Sequence, residues 1–236
     1  MESTDTTLIF LKTPNSSVPC RPETLGRVPV PFGVTPFMMN ELNGVDWESM
    51  IRVNFSVTQN QLVQAYGLDN VQYFPQSATA GFSSRSATFL SLVGLPHSEV
   101  FTSRENLEDP YPAALDAITL GSRFDHYGIP CPAESRPWWT LGYLFTSLIA
   151  LDPASGKVYA FPEGSSGHLP LHRDVESLVY ALIEFRKLEV DHDSDVDPEE
   201  LSARFRETVG AFDSTPFADD ESQWNRSLEE LEHGIW

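Results

Sequence analysis

Hydrophobic residues change spacing several times along this chain, and each change predicts an element. From Thr58 the apolar positions Leu62, Val63 and Tyr66 fall on one face of a helix. Thr58 is its cap and Gly67 its stop. Ser84 opens a second helix with Ala87, Leu90, Leu92 and Val93 apolar, ended by Gly94 and Pro96. Leu115–Leu120 reads as a strand, and residues 122–137, with Pro130, Pro132 and Pro137, read as loop. Gly142 to Leu151 is rich in β-favouring side chains, and Val158 to Phe161 returns as its hairpin partner. Between them, Asp152-Pro153-Ala154-Ser155-Gly156 is turn chemistry: proline presets one φ and glycine accepts a left-handed one. A linker with Gly164, Gly167 and Pro170 leads to the clearest helix. Asp174 caps it, and Val175, Leu178, Val179, Leu182, Ile183 and Phe185 make a broad apolar face.

The two ends of the chain differ from its middle. Residues 1–50 form a proline-rich extension in which Pro29, Pro31 and Pro36 interrupt Val28, Val30, Phe32, Val34 and Phe37; at most one or two edge strands are expected there. Residues 51–236 then make the main domain. Its last part, 190–236, predicts acidic helices. Asp197-Pro198-Glu199-Glu200 is a helix start with a capping acid, proline at the first position and acids at the positive end of the dipole. Leu201, Phe205 and Val209 follow at four-residue spacing. Trp224, Leu228 and Leu231 repeat the pattern before Gly234. Six positions, Leu62, Leu90, Ile149, Val158, Leu178 and Leu182, are expected to share one core.

Charge narrows the partners. The formal net charge is −19, and fifteen acidic side chains against three arginines put −12 of it in the 48 residues Glu189 to Trp236. Such a field disfavours nucleic acid and anionic membranes, which carry the same sign, and leaves either a basic protein partner or solubility alone as its use. Two cysteines, Cys20 and Cys131, exclude a disulfide framework and a four-cysteine zinc site, although one bridge is formally open. The acidic N-terminus with its short apolar run Leu8 to Leu11 is not a signal peptide, so the cytoplasm is the expected compartment.

The search for reaction chemistry returns near misses. Gly164-Ser165-Ser166-Gly167-His168 lacks the GxSxG spacing of a nucleophile elbow and reads as a loop. His168 and His172 stand four apart, but Pro170 between them argues against a zinc-binding helix face. Asp191, Asp193, Asp195 and Asp197 alternate like a calcium loop. Val196 and Ser202, however, stand where the glycine and the closing glutamate are needed, so a solvated acidic loop is the better reading. Cys131 and His126 are near in sequence only. Catalytic, metal and cofactor residues are therefore expected to be none. For partner binding, Trp138 and Trp139 are candidates as an aromatic anchor, against a competing core role. Asp219, Asp220, Glu221 and Trp224 are candidates on the acidic helices.

Four boxes in order resemble the SUKH superfamily, and its fourth group in particular. Phe89-Leu90-Ser91-Leu92-Val93-Gly94-Leu95-Pro96 is similar to its "FL..VGLP" box, and Leu148 through Tyr159 to its "I.LD..TG.V" hairpin. Leu171 to Phe185 resembles the helix that follows, with His172-Arg173-Asp174 where the family commonly has Asn-Ser. Ala211-Phe212-Asp213 and Trp224 to Gly234 resemble its C-terminal ending. The resemblance covers about residues 56–236. It implies an α+β fold, a mostly antiparallel sheet with helices packed around it, here with acidic C-terminal helices added. It implies a non-catalytic immunity protein that binds and neutralises a cognate bacterial toxin, with no cofactor. A basic, nuclease-type toxin would suit the charge. A regulatory or scaffold interaction module is the alternative within the superfamily. The oligomeric state is left open.

Overall fold

A computed structural model of the chain describes residues 54–74, 83–103, 119–164 and 167–235. The extension 1–50 lies outside the described residues, as do most of Leu115–Leu120 and the serines of the Gly164–Gly167 loop. The helices are α1 (Gln59–Tyr66), α2 (Ser84–Leu92), α3 (Leu120–His126), α4 (Val175–His192), α5 (Pro198–Phe212) and α6 (Gln223–Glu232). Strands β1 (Val71–Gln72) and β2 (Leu95–Pro96) pair as a short antiparallel ribbon. Strands β3 (Phe101–Ser103), β4 (Trp139–Leu144), β5 (Ser147–Leu151), β6 (Val158–Phe161) and β7 (Leu169–His172) form a second, antiparallel sheet in that order. The architecture is α+β. No described helix is long and apolar enough to cross a membrane.

Local chemistry explains most boundaries. Thr58 and Gln61 form a reciprocal capping box on α1, and Gly67 ends it at φ 83°. Asp174 caps α4 through the Ser177 N–H, and Asp197 caps α5 with Pro198 in its first turn. Gly94 turns the chain from α2 into β2 at φ 86°, where a Cβ would lie 2.5 Å from the Gln72 carbonyl oxygen. Gly142 allows β3 and β4 to approach, since a Cβ there would meet Thr102 O at 2.2 Å.

The sheet is buried on both faces. Alternation sends Ile149 and Leu151 of β5 and Val158 and Ala160 of β6 toward α1, α2, α4, α5 and α6. Leu148, Ala150 and Phe161 point the other way, to Leu120 and Phe124 of α3 and to Trp138. All six expected core residues, Leu62, Leu90, Ile149, Val158, Leu178 and Leu182, are fully buried in the larger cluster.

Three expectations change. Leu120 is not the end of a strand but the start of α3, capped by Thr119, so residues 122–126 are helix rather than loop. Leu120 and Phe124, one turn apart, pin it to the sheet. The run Gly142 to Leu151 is not one strand: it folds back at Phe145 and Thr146, with Phe145 at φ 51°, so that β4 pairs with β5 before β5 pairs with β6. The linker before α4 contains β7, which tolerates Pro170 because β7 is an edge strand needing hydrogen bonds on one side only.

Glu176 fastens the start of the domain to α4. Its buried carboxylate accepts from the backbone N–H groups of Ser56 and Val57 and from the Arg85 guanidinium. Arg85 is half exposed, so solvent screens the ion pair and the two backbone bonds matter more. Glu176→Gln removes the charge at constant size and should lower stability by about 1–3 kcal/mol in urea denaturation. A loss below about 0.5 kcal/mol would show that these bonds do not hold the segment.

Candidate functional site

The C-terminal helices are docked by their apolar stripes, as the spacing predicts. Leu201, Phe205 and Val209 of α5 and Trp224, Leu228 and Leu231 of α6 are buried in the main core. Trp224 is fully buried, its ring 5.3 Å from both Phe185 and Phe205. It presents no surface to a partner.

Beneath Trp224 lies a buried polar chain that no spacing in the sequence announces. The Trp224 indole N–H donates to His172 Nε2 at 2.9 Å. An indole nitrogen only donates, so Nε2 is the bare nitrogen and the imidazole proton sits on Nδ1. That proton faces Ser177 Oγ at 2.8 Å, and the Ser177 hydroxyl donates to Asp213. The Asp213 carboxylate also accepts from the N–H groups of Arg173, at 2.9 Å, and Thr215, at 3.0 Å. One chain of bonds thus ties β7, α4, the end of α5 and α6 together. The only signals in the sequence are a histidine and a serine set among apolar positions.

Burial pushes the Asp213 carboxyl up, but the bonds from His172, Ser177, Arg173 and Thr215 outweigh it and hold it well below the usual carboxylate range. Burial lowers His172 from its ordinary value, against the raising effect of Asp213. Both depressions have the same sign for stability. The contribution of neutral His172 is present above its unfolded value of about 6.5 and is lost as the pH falls below it; that of ionised Asp213 is lost below about 3.9.

His172, Ser177 and Asp213 are the residue types of a nucleophilic triad, but their arrangement is not that of one. Ser177 and Asp213 both sit at Nδ1, Trp224 occupies Nε2, and His172 and Ser177 are sealed from solvent. His168 lies on the opposite face of the sheet from His172, packed edge-on against Trp138 at 4.7 Å, so the two histidines do not converge. Asp191 pairs with Arg204 and Asp197 caps α5, which separates the aspartates of the 191–197 run. No group of three metal-ligating side chains occurs among the described residues. The Cys131 thiol is pushed up by burial, and its near partners are Pro132 O and Ser135 Oγ rather than His126.

The two adjacent tryptophans part company. Trp138 is 7% exposed and stacks on Tyr159 at 4.2 Å on the α3 face. Trp139 is half-buried and packs toward the main core. Trp138, just before β4, and Trp139, its first residue, thus pack into different clusters on the two sides of the sheet.

Asp219, Asp220 and Glu221 occupy the turn entering α6. Asp219 accepts the Glu221 N–H at 2.9 Å, and its carbonyl accepts from the Asn225 amide at 2.8 Å. Arg206 reaches Asn225 from α5, and Ser222 caps α6 while its hydroxyl donates to Pro216 O at 2.6 Å. Asp220 and Glu221 are exposed at the tip of this braced turn. Among the described residues no ion pair involves Asp219, Asp220, Glu221, Glu229 or Glu230. By contrast, the groove of about 520 Å³ between α1 and α4 is rimmed by Arg186 and Lys187, which pair with Glu189 and Glu184. Its charges cancel locally; those of the α6 turn do not.

No curated protein and no solved structure matches the chain. The family model described as SUKH-4 immunity protein matches residues 57–230, which takes in the ribbon, the five-stranded sheet, the buried histidine chain and nearly all of α6. The chain therefore belongs to the SUKH-4 immunity protein family.

Proposed function

We propose that this protein binds a cognate bacterial toxin and neutralises it by covering its surface, without catalysis, and that the toxin is basic, of the kind that grips nucleic acid. Family membership supports the immunity role. The observation that carries the basic partner is the braced, exposed turn Asp219–Asp220–Glu221 on a segment bearing −12, whose apolar faces are already docked. An acidic face of this kind mimics the sign of a nucleic-acid backbone and attracts what binds one. A toxin acting on nucleic acid places the encounter in the cytoplasm.

The immunity reading is tested by expressing the toxin domain encoded beside this gene in cells with and without the protein. Survival only with the protein supports it; no protection overturns it. The charge reading is tested by association kinetics with that domain. Reversing Asp219, Asp220 and Glu221 to lysine should slow association at low salt by about tenfold or more and flatten its salt dependence, with a smaller change in dissociation. Because Asp219 also holds the Glu221 N–H, the pair Asp220→Lys and Glu221→Lys separates charge from turn geometry. An unchanged association rate in variants with intact circular dichroism would sink charge steering.

A further inference from the structure

His172 and Trp224 meet through two nitrogens that have room for one proton between them. At 2.9 Å the indole N–H fills the lone pair of Nε2. A second proton on the ring has nowhere to go but Nε2, since Nδ1 already carries one toward Ser177. Protonation then sets two N–H groups against each other inside the core.

We propose that this contact is an acid-released latch: protonating His172 undocks α6 from β7 and α4 while the sheet and the other helices stay folded. Helix α6 is suited to opening alone. It is one short element, and besides the Trp224–His172 bond its side-chain ties among the described residues run from Gln223 to Ser147, from Asn225 to Arg206 and the Asp219 carbonyl, from Glu232 to Ser202 and from its Ser222 cap to the Pro216 carbonyl. A helix that carries no strand pairing can open as a local unit without breaking the sheet ladder. Once it opens, His172 meets water and takes a proton with ordinary affinity, so acid draws the equilibrium toward the open form.

The surroundings set the direction. From its own loop, Arg173 opposes a charge on His172 and Asp174 favours one. After α5, Asp213 lies 3.5 Å from Nδ1 and favours it too, but that carboxylate is already engaged by Ser177 and by two backbone N–H groups. From α4 comes the neutral Ser177, from α6 the neutral Trp224, and from β6 the apolar cross-strand partner Val158. Burial is the largest influence and lowers His172 from its ordinary value, and the indole N–H that fills Nε2 leaves no place for a second ring proton in the closed form. One effect works against the latch: acid relieves repulsion among the carboxylates of an acidic chain. A comparison with a variant that cannot titrate at position 172 removes it.

The experiment is hydrogen exchange of the full chain, followed by mass spectrometry between about pH 7 and pH 5 and corrected for intrinsic rates. In the native sequence, residues 222–235 should open roughly tenfold more at the acid end while residues 175–190 hold their protection. In His172→Gln, which accepts a hydrogen bond but does not titrate in this range, the acid response of residues 222–235 should vanish. Equal behaviour of the two segments in the native sequence, or the same acid loosening in His172→Gln, overturns the latch. Should that variant fail to fold, solvent exchange of the Trp224 indole N–H in the native chain reads the same step. Exchange that rises roughly tenfold from about pH 7 to pH 5 after correction for its intrinsic rate supports the latch, and corrected exchange that does not rise overturns it.

Discussion

Trp224→Ala should destabilise the protein by about 3–5 kcal/mol, the range for removing a large aromatic side chain from a packed core. The indole is fully buried between Phe185 and Phe205, with Phe145 edge-on at 6.3 Å. Removing it opens a cavity under α6 and also strips His172 Nε2 of its donor. Trp224→Phe separates the two effects. It keeps a six-membered aromatic ring while losing the N–H and the rest of the five-membered ring, so a smaller loss of about 1–3 kcal/mol is expected. With no indole proton to oppose Nε2–H, Trp224→Phe should also lose less stability than the native chain when the pH is lowered. Because the side chain has no exposed surface, any loss of toxin affinity in Trp224→Ala should track the fraction folded in a urea titration. A fully folded variant that dissociates faster would instead make Trp224 a direct contact.

What the sequence made legible follows from which forces are local. Helix caps act over three or four residues, so Thr58, Asp174 and Asp197 mark the starts of α1, α4 and α5, and apolar spacing places their buried faces. The turn at Phe145 and Thr146 was hidden because it contains no glycine, proline or asparagine; pairing between β4 and β5 imposes the left-handed φ on Phe145. The cap at Thr119 is masked by Leu115 to Leu120, which is equally good β sequence, and contact with Trp138 and Phe161 decides in favour of helix. β7 carries a proline that only its edge position excuses.

The site was legible in the same uneven way. Charge can be counted from sequence, so the acidic character of Asp219, Asp220 and Glu221 was readable, and so was the docking of the helices behind them. Which tryptophans face solvent was not, because it depends on how the chain enters β4 for Trp138 and Trp139 and on helix packing for Trp224. The chain from Trp224 through His172 and Ser177 to Asp213 joins residues 52 and 36 positions apart, and no spacing rule spans such a distance. Glu176 reaches Ser56 across 120 positions.

Leu178→Ala tests the core on which all of this rests. Leu178 of α4 is fully buried and belongs to the cluster containing Leu62, Leu90, Ile149 and Val158. Its truncation should cost about 2–5 kcal/mol, the spread reflecting how far the walls relax into the space left behind. Helix α4 packs against α1, α2, α5, β2 and β7, so a fully buried position on it has little freedom to collapse, which argues for the upper half of that range. Val190, on the same helix, is 52% exposed, and Val190→Ala should change stability by no more than about 0.5 kcal/mol. Helix propensity separates Leu→Ala from Val→Ala by only about 0.5 kcal/mol, so a gap of several kcal/mol between them reports burial. Equilibrium urea denaturation of both variants reads the result. A loss under about 0.5 kcal/mol for Leu178→Ala, or equal losses at the two positions, would mean that this face of α4 is not the buried one.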